Sequence, residues 1–220
     1  KRAKDYRNFD FSHMGLPTER ALGMVWHLET DSLGFRSKFL EKPLSRKVIL
    51  TDVMSAYDLD GRASAFTLPG KKVLQELTAE KKGWDEEVST AHTKRYEEWK
   101  SDMALLEDID VPRCFTPADF GDTVSRGLHC FSDASETGYG QVSYLRSVNA
   151  DGKIHVSQVT AKARVAPLKS ITIPRLELTA GTVSVKVAAM LQEELDFADL
   201  PTTYWTDSNI VLGYINNEVK

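Results

Sequence analysis

Three acidic residues stand at positions from which their carboxylates could bind a metal ion together. Asp133 ends a predicted strand in CFSDAS, Glu177 lies in the first turn of a predicted helix in IPRLEL, and Asp207 ends another predicted strand in YWTDSN. Three converging carboxylates repel one another unless a cation neutralises them. Hard divalent cations such as Mg²⁺ or Mn²⁺ prefer oxygen ligands, and two of them held side by side support phosphodiester hydrolysis by activating a water.

Each acid, taken alone, also has a purely structural interpretation. Asp207 precedes a predicted helix and could be its N-cap. Glu177 near a helix N-terminus suits the helix dipole, and Asp133 could begin a turn. Their joint placement, at two strand ends and one helix start, favours the metal site.

The elements that must bring these acids together form an α/β pattern in the second half of the chain. Beginning at Gly127, the segments GLHCFSD, GYGQVSYLR and KIHVSQVTAKARV predict three short strands, divided by the turn sequences SETG and NADG. A long helix follows Pro174, then a strand over Thr202 to Thr206 and another helix from Ile210. If the fourth strand lies parallel to the first, two of the acids emerge at one sheet edge, and the start of the crossover helix brings the third. The apolar face of the long helix is predicted to comprise Leu176, Ala180, Val183, Val187, Met190 and Leu195.

The first half of the chain has a mainly helical pattern. Two apolar runs between Arg20 and Phe39, separated by ETDS, predict a hairpin. A helical stretch follows, interrupted at Leu68-Pro69-Gly70, and a second helix is predicted over Thr90 to Leu106. Val111-Pro112 ends that helix and opens a polar connector that runs to Arg126. The apolar positions of the second helix are Tyr96, Trp99, Met103 and Leu106.

The bulk composition is typical of a folded intracellular protein. Hydrophobic residues make up 41% and charged residues 27% of the chain, a balance that argues against disorder. Cys114 and Cys130 show no zinc-type spacing, which suits a reducing environment. No apolar run approaches the roughly 20 residues of a membrane span. The formal net charge of -4 does not by itself indicate a nucleic-acid binder.

Longer strings in the chain resemble one known family. FSDASETGYGQVSYLR, KARVAPLKSITIPRLEL and YWTDSNIVLGYI are similar to the ribonuclease H region of Pao/BEL-type LTR retrotransposon polyproteins. RALGMVWHLETDSLGF resembles the strand pair that ends the reverse transcriptase palm, and KKVLQELTAEKKGWDEEV with YEEWKSDMALLEDIDVPRC resembles the thumb and connection that follow. The resemblance implies the end of the palm over 1–44, a mostly helical thumb and connection over 45–126, and an incomplete ribonuclease H-like domain over 127–220. Because the chain opens on KRAKD and reaches Lys220 inside a helical pattern, we expect it to be cut at both ends.

The same resemblance implies a fold and an activity. An α/β ribonuclease H-like mixed sheet with flanking helices would hydrolyse the RNA strand of RNA:DNA hybrids during reverse transcription. Asp133, Glu177 and Asp207 would be its catalytic and metal-binding acids, with two Mg²⁺ or Mn²⁺ ions as cofactors. The order Asp, Glu, Asp favours ribonuclease H over a retroviral-type integrase, which places its glutamate last. A fourth aspartate is expected beyond Lys220, and the polymerase aspartates are expected upstream.

The implied partners are a primer-template or RNA:DNA hybrid and the remainder of the polyprotein, with no membrane. The implied localisation is a cytoplasmic virus-like particle with a nuclear stage. Six residues near the predicted acids are candidates for nucleic-acid contacts, through hydroxyls beside the acids or through charges that neutralise phosphates. As ordinary turn, cap or edge-strand residues they need no such role. These candidates are Ser135, Lys162, Arg164, Lys169, Arg175 and Ser208.

Two other classes of function are alternatives to the nuclease. A catalytically inactive scaffold that binds primer and template is the main alternative. An unrelated hydrolase is disfavoured, because the chain contains no G-x-S-x-G elbow and no P-loop. The segment AYDLDGRASAF departs from the family pattern, which has a proline after the aspartate and an uninterrupted glycine-phenylalanine pair.

Overall fold

The computed structural model describes residues 18–21, 24–195 and 200–217, and within them it contains two four-stranded sheets. The first sheet has the order β1-β2-β3-β4 and the second has the order β7-β6-β5-β8. No helix within these residues is long and apolar enough to cross a membrane. The strands are β1 Thr18–Ala21, β2 Met24–His27, β3 Ser32–Gly34, β4 Asp110–Pro112, β5 Thr123–Ala134, β6 Gly138–Asn149, β7 Ile154–Val165 and β8 Thr202–Trp205. The helices are α1 Arg46–Ser55, α2 Ser64–Ala79, α3 Thr90–Ala104, α4 Ile173–Glu194 and α5 Asn209–Asn216, with a 3₁₀ turn over Leu105–Asp108.

The first sheet confirms the predicted hairpin, because β2 and β3 pair antiparallel. The assignment of Val111-Pro112 to the start of a connector was wrong, since these residues lie in β4, which pairs with β3. An edge strand tolerates a proline because its outer N–H groups have no ladder partner. The pairing is secured just beyond β4, where the Arg113 guanidinium binds both carboxylate oxygens of Asp31 at 2.6 and 2.8 Å.

The helical region has its own core. The predicted helix from Thr90 is confirmed as α3, which ends at Ala104 and continues as the 3₁₀ turn. The predicted interruption at Leu68-Pro69-Gly70 was wrong, because α2 runs through Pro69 without a break. Gly70 lies so close to Trp99 and Val53 that even a Cβ would meet their side chains at 2.7 Å, and this packing against α1 and α3 holds the turn despite the missing proline N–H. All four predicted apolar positions of the second helix, Tyr96, Trp99, Met103 and Leu106, are buried in this core.

The second sheet confirms the predicted meander and crossover. β5, β6 and β7 pair antiparallel in sequence order, and β8 pairs parallel to β5 with Phe131 opposite Trp205. β5 begins at Thr123, four residues before the predicted start at Gly127. The second hairpin turn contains Gly152 at φ +79°, a conformation that favours glycine.

The face of α4 that packs on the sheet overlaps the predicted one, since Leu176 and Ala180 are buried and Val187 packs against the core. Ser184 and Ala188 are buried against β5 and β6, whereas the predicted core residue Met190 is 50% exposed. The predicted stripe was wrong at Met190 and lacked Ser184 and Ala188, because hydrophobicity alone does not select the small side chains that let a helix approach a pleated sheet closely. The buried positions of α4 are Leu176, Ala180, Ser184, Ala188 and Leu191.

The helical region and the second sheet are in direct contact through the loop before α2. The Ala161 N–H on edge strand β7 donates to the Asp60 carbonyl at 2.7 Å, and the Arg62 guanidinium donates to the Gln158 carbonyl at 3.0 Å. Gly61 has φ +79°, and a Cβ there would lie 1.7 Å from the Ala161 carbonyl oxygen. The segment AYDLDGRASAF therefore covers the edge of β7, which would otherwise present unpaired backbone groups.

Candidate metal centre

The structure brings the three predicted acids together. One carboxylate oxygen from each of Asp133, Glu177 and Asp207 lies within 4.8 Å of the others. Among the residues that the structure describes, this is the group of side chains whose geometry suits a metal ion. Asp133 and Asp207 are exposed, and Glu177 is half-buried. Three hard oxygen donors at this separation fit the ligand preference of Mg²⁺ or Mn²⁺.

The parallel pairing of β5 and β8 explains the position of two of the acids. The register places Phe131 opposite Trp205, so Asp133 and Asp207 each lie two residues beyond a matched pair. Both therefore reach the same edge of the sheet at the same level. Helix α4 crosses the sheet and contacts β5 and β6, and its N-terminal part supplies Glu177.

The charge of the cluster has no basic partner in the part of the chain that the structure describes. None of the ion pairs formed by lysine, arginine or histidine within those residues involves the three acids. Like charges at such short range destabilise each other unless a counter-ion is present. The site therefore has the electrostatics of a cation-binding centre.

The simple structural roles considered for the acids do not match their positions. Asp207 is not the N-cap of α5, since Ser208 caps it by accepting the Val211 N–H at 3.3 Å. Glu177 is the fifth residue of α4 and not in its first turn as predicted, beyond the reach of most of the dipole effect. Asp133 lies inside β5, and the turn that follows is held by Ser135, whose Oγ accepts the N–H groups of Thr137 and Gly138 at 3.3 Å each.

Ser208 contacts the cluster in a way that the sequence did not reveal. Its Oγ hydrogen-bonds Oε2 of Glu177, and the side chain is 8% exposed. The Ser208 hydroxyl thus bonds an acid and caps a helix, and the predicted contact of Ser208 with nucleic acid remains a prediction. A serine before a helix suggests a cap, but no local signal in the sequence pairs it with a residue 31 positions away.

A groove of about 760 Å³ opens beside the cluster, between the sheet and the loop that leads into α2. Two of the acids, Asp133 and Asp207, line one part of it. Phe131 and Trp205 contribute stacked rings with centroids 5.7 Å apart. Beneath the site, Cys130 is fully buried, and this burial raises the pKa of its thiol, so it belongs to the core.

The predicted basic residues are divided between this groove and the surrounding surface. Lys162 on β7 lines the groove, whereas Arg164, Lys169 and Arg175 are exposed outside it. The groove also contains Arg62, which sequence reasoning missed because it lies far away along the chain. Arg62 is partly neutralised by Asp60, with Nε to Oδ2 at 2.5 Å. Contacts of these residues and of Ser135 with nucleic acid remain predictions.

The second sheet is mixed, with the order β7-β6-β5-β8, and a crossover helix packs on it. The three acids come from β5, from α4 and from the segment just after β8. This combination defines a ribonuclease H-like protein. The chain belongs to the family of the Pao retrotransposon-like RNaseH-like domain, whose model matches residues 45–208. The predicted family and fold class are thereby confirmed, and the chain contains a ribonuclease H-like domain of a retroelement. The division at 44/45 and 126/127 remains a prediction.

A solved structure from foamy virus, the protease-reverse transcriptase in complex with dsDNA, shares the fold with a TM-score of 0.50 and 14% sequence identity. The similarity covers 92% of this chain and 39% of the foamy virus chain, so the protein spans well under half of that neighbour. No curated protein matches the sequence.

Proposed function

We propose that the protein hydrolyses the RNA strand of RNA:DNA hybrids, with divalent cations, as part of a retrotransposon reverse transcriptase. The observation that carries this proposal is the cluster of Asp133, Glu177 and Asp207, with oxygens within 4.8 Å, in a chain of this family. Carboxylates at such separation without described basic partners are unfavourable in a protein that binds no cation.

The three acids would hold the cations, for which Mg²⁺ or Mn²⁺ fits the all-oxygen donor set. When bound, a pair of such ions activates a water for attack on the phosphodiester and neutralises charge on the leaving oxygen. Because Asp133 and Asp207 are exposed, a phosphate can approach their side of the cluster directly. Glu177 is half-buried, and its Oε2 accepts a hydrogen bond from Ser208, so it would hold its position while substrate enters.

Binding of a nucleic acid is supported by the surroundings of the cluster. The foamy virus neighbour is bound to dsDNA, and the groove beside the acids contains Lys162. Lys162 would neutralise a phosphate in the groove, and the exposed Arg164, Lys169 and Arg175 would neutralise phosphates outside it. Selection of the RNA strand would depend on its 2′-hydroxyl groups and on hybrid shape.

Cleavage of a labelled RNA:DNA hybrid with Mn²⁺ or Mg²⁺ tests the proposal. The chain should be continued past Lys220, where the family resemblance places a fourth acid. We expect cutting of the RNA strand alone, abolished by chelation and by Asp133→Asn or Glu177→Gln. Asp151→Asn is the matched control, because Asp151 is an exposed acid in a hairpin turn outside the cluster, and its activity should equal that of the native chain. A folded protein that binds the hybrid without cutting it would instead favour the inactive scaffold.

A further inference from the structure

Ser208 joins two parts of the candidate site. Its Oγ accepts the Val211 N–H at 3.3 Å, which caps α5, and it hydrogen-bonds Oε2 of Glu177. The two bonds are compatible, because a hydroxyl has one proton to donate and two lone pairs to accept. The carboxylate of Glu177 accepts the proton, and the Val211 amide uses a lone pair.

The Ser208 backbone is held independently of Glu177. Its N–H donates to Oγ1 of Thr206 at 3.2 Å, so the short segment between β8 and α5 is tied at both ends. Asp207 lies within this segment. One fixed stretch of backbone therefore places one acid of the cluster and presents a hydroxyl to another acid that comes from a different element.

Glu177 needs such a partner more than the other two acids do. Its side chain has three rotatable bonds, and it reaches the sheet edge from helix α4. A hydrogen bond to Oε2 restricts the carboxylate and leaves Oε1 available for a cation. We propose that Ser208 is a positioning residue that orients Glu177 for divalent-cation binding. This inference rests on the proposed function only in using the same cation site.

The predicted effect is a loss of cation affinity. Removing a hydrogen-bond partner of a metal ligand typically lowers metal affinity about 10- to 100-fold. We therefore expect Ser208→Ala to weaken Mn²⁺ binding by this factor, measured by electron paramagnetic resonance on the folded chain. Ser208→Thr keeps a hydroxyl that can cap and donate, and it should restore binding to near the native value.

Ser208→Ala also removes a helix cap, so two controls separate folding from orientation. Ser45→Ala removes an equivalent cap, since the Ser45 side chain accepts the Val48 N–H at the start of α1, far from any acid of the cluster. It should lower thermal stability without changing Mn²⁺ affinity. On a Glu177→Gln background, Ser208→Ala should change Mn²⁺ affinity little, because the two residues act as one unit.

Native Mn²⁺ affinity in folded Ser208→Ala would overturn the inference. Equal losses of Mn²⁺ affinity in Ser208→Ala and Ser45→Ala would also overturn the inference, because the loss would then come from the missing helix cap alone. The proposed function fails separately: if the native chain binds Mn²⁺ in a Ser208-dependent way but the extended chain cuts no hybrid, the positioning role stands without the nuclease.

Discussion

Asp133, Glu177 and Asp207 concentrate three negative charges within 4.8 Å at the end of the second sheet. Two unit charges about 4 Å apart interact by roughly 1 kcal/mol even in bulk water. The fold therefore accepts an unfavourable interaction at this point, and a bound cation would reverse its sign. The balance between repulsion and metal binding can be measured on stability alone, without any assay of activity.

Asp207→Asn tests this balance. With metal removed by chelation, the substitution should raise the free energy of unfolding by up to about 1 kcal/mol, because one repulsive charge is lost. With Mn²⁺ at 100 times its dissociation constant, the native chain should gain about 2.7 kcal/mol, and the variant should gain far less. Denaturant unfolding in both conditions gives the four values.

The same unfolding measurements on Asp151→Asn provide the comparison. That acid is exposed and lies outside the cluster, so neither the chelated nor the Mn²⁺-loaded stability should change. If Asp207→Asn responded to Mn²⁺ as strongly as the native chain, Asp207 would not be a ligand.

At this scale the sequence predicted which acids meet but not what supports them. The acids lie near the ends of two strands and near the start of a helix, and local patterns reveal such positions to within a few residues. The bond between Ser208 and Glu177 depends on how α4 lies over the sheet. That placement is set by packing across the whole domain, so the supporting contact could not be predicted.

Among the elements, the strands of the meander were predicted correctly because their signals are local. The meander of β5, β6 and β7 follows from alternating strands and from turns rich in glycine and polar residues. β4 was missed because its pairing joins Leu33 to Val111, positions far apart along the chain. The contact face of α4 and the continuity of α2 through Pro69 also depend on neighbouring elements.

Gly61→Ala tests the contact between the helical region and β7. Gly61 needs φ +79°, and an added Cβ would lie 1.7 Å from the Ala161 carbonyl oxygen. The Ala161 carbonyl belongs to the backbone and cannot move aside as a flexible side chain can. The loop that contains Gly61 must therefore move away from β7. We expect a loss of roughly 3 kcal/mol or more, the size of effect seen when strain and lost contacts combine.

Gly152→Ala is the matched variant for this prediction. Gly152 also has φ +79°, but nothing lies within 4 Å of its added Cβ. Its cost should be only that of placing an L-residue in the left-handed region, roughly 1–2 kcal/mol. The difference between the two variants in denaturant unfolding measures the steric contact with β7, and equal losses would show that the loop can move away at no cost.

At the scale of the whole molecule, net charge and the proposed substrate oppose each other. The chain carries a formal charge of -4, and a nucleic acid is also negative. Attraction must therefore come from local basic residues and from cations at the acids. The groove concentrates this attraction, because Lys162 and the edge with Asp133 and Asp207 line the same space.

Lys162→Gln tests whether the groove binds phosphate. If Lys162 neutralises one phosphate, the variant should bind an RNA:DNA hybrid more weakly, and the slope of log affinity against log salt should fall by about 1. Lys153→Gln serves as the control, since Lys153 is exposed in the turn at the far end of β7 and lies outside the groove. Binding would be followed by fluorescence anisotropy in Ca²⁺ at several salt concentrations. An unchanged slope in Lys162→Gln would show that Lys162 contacts no phosphate. The hybrid would then lie on the surface of Arg164, Lys169 and Arg175, and substitution of these residues by glutamine should lower the slope.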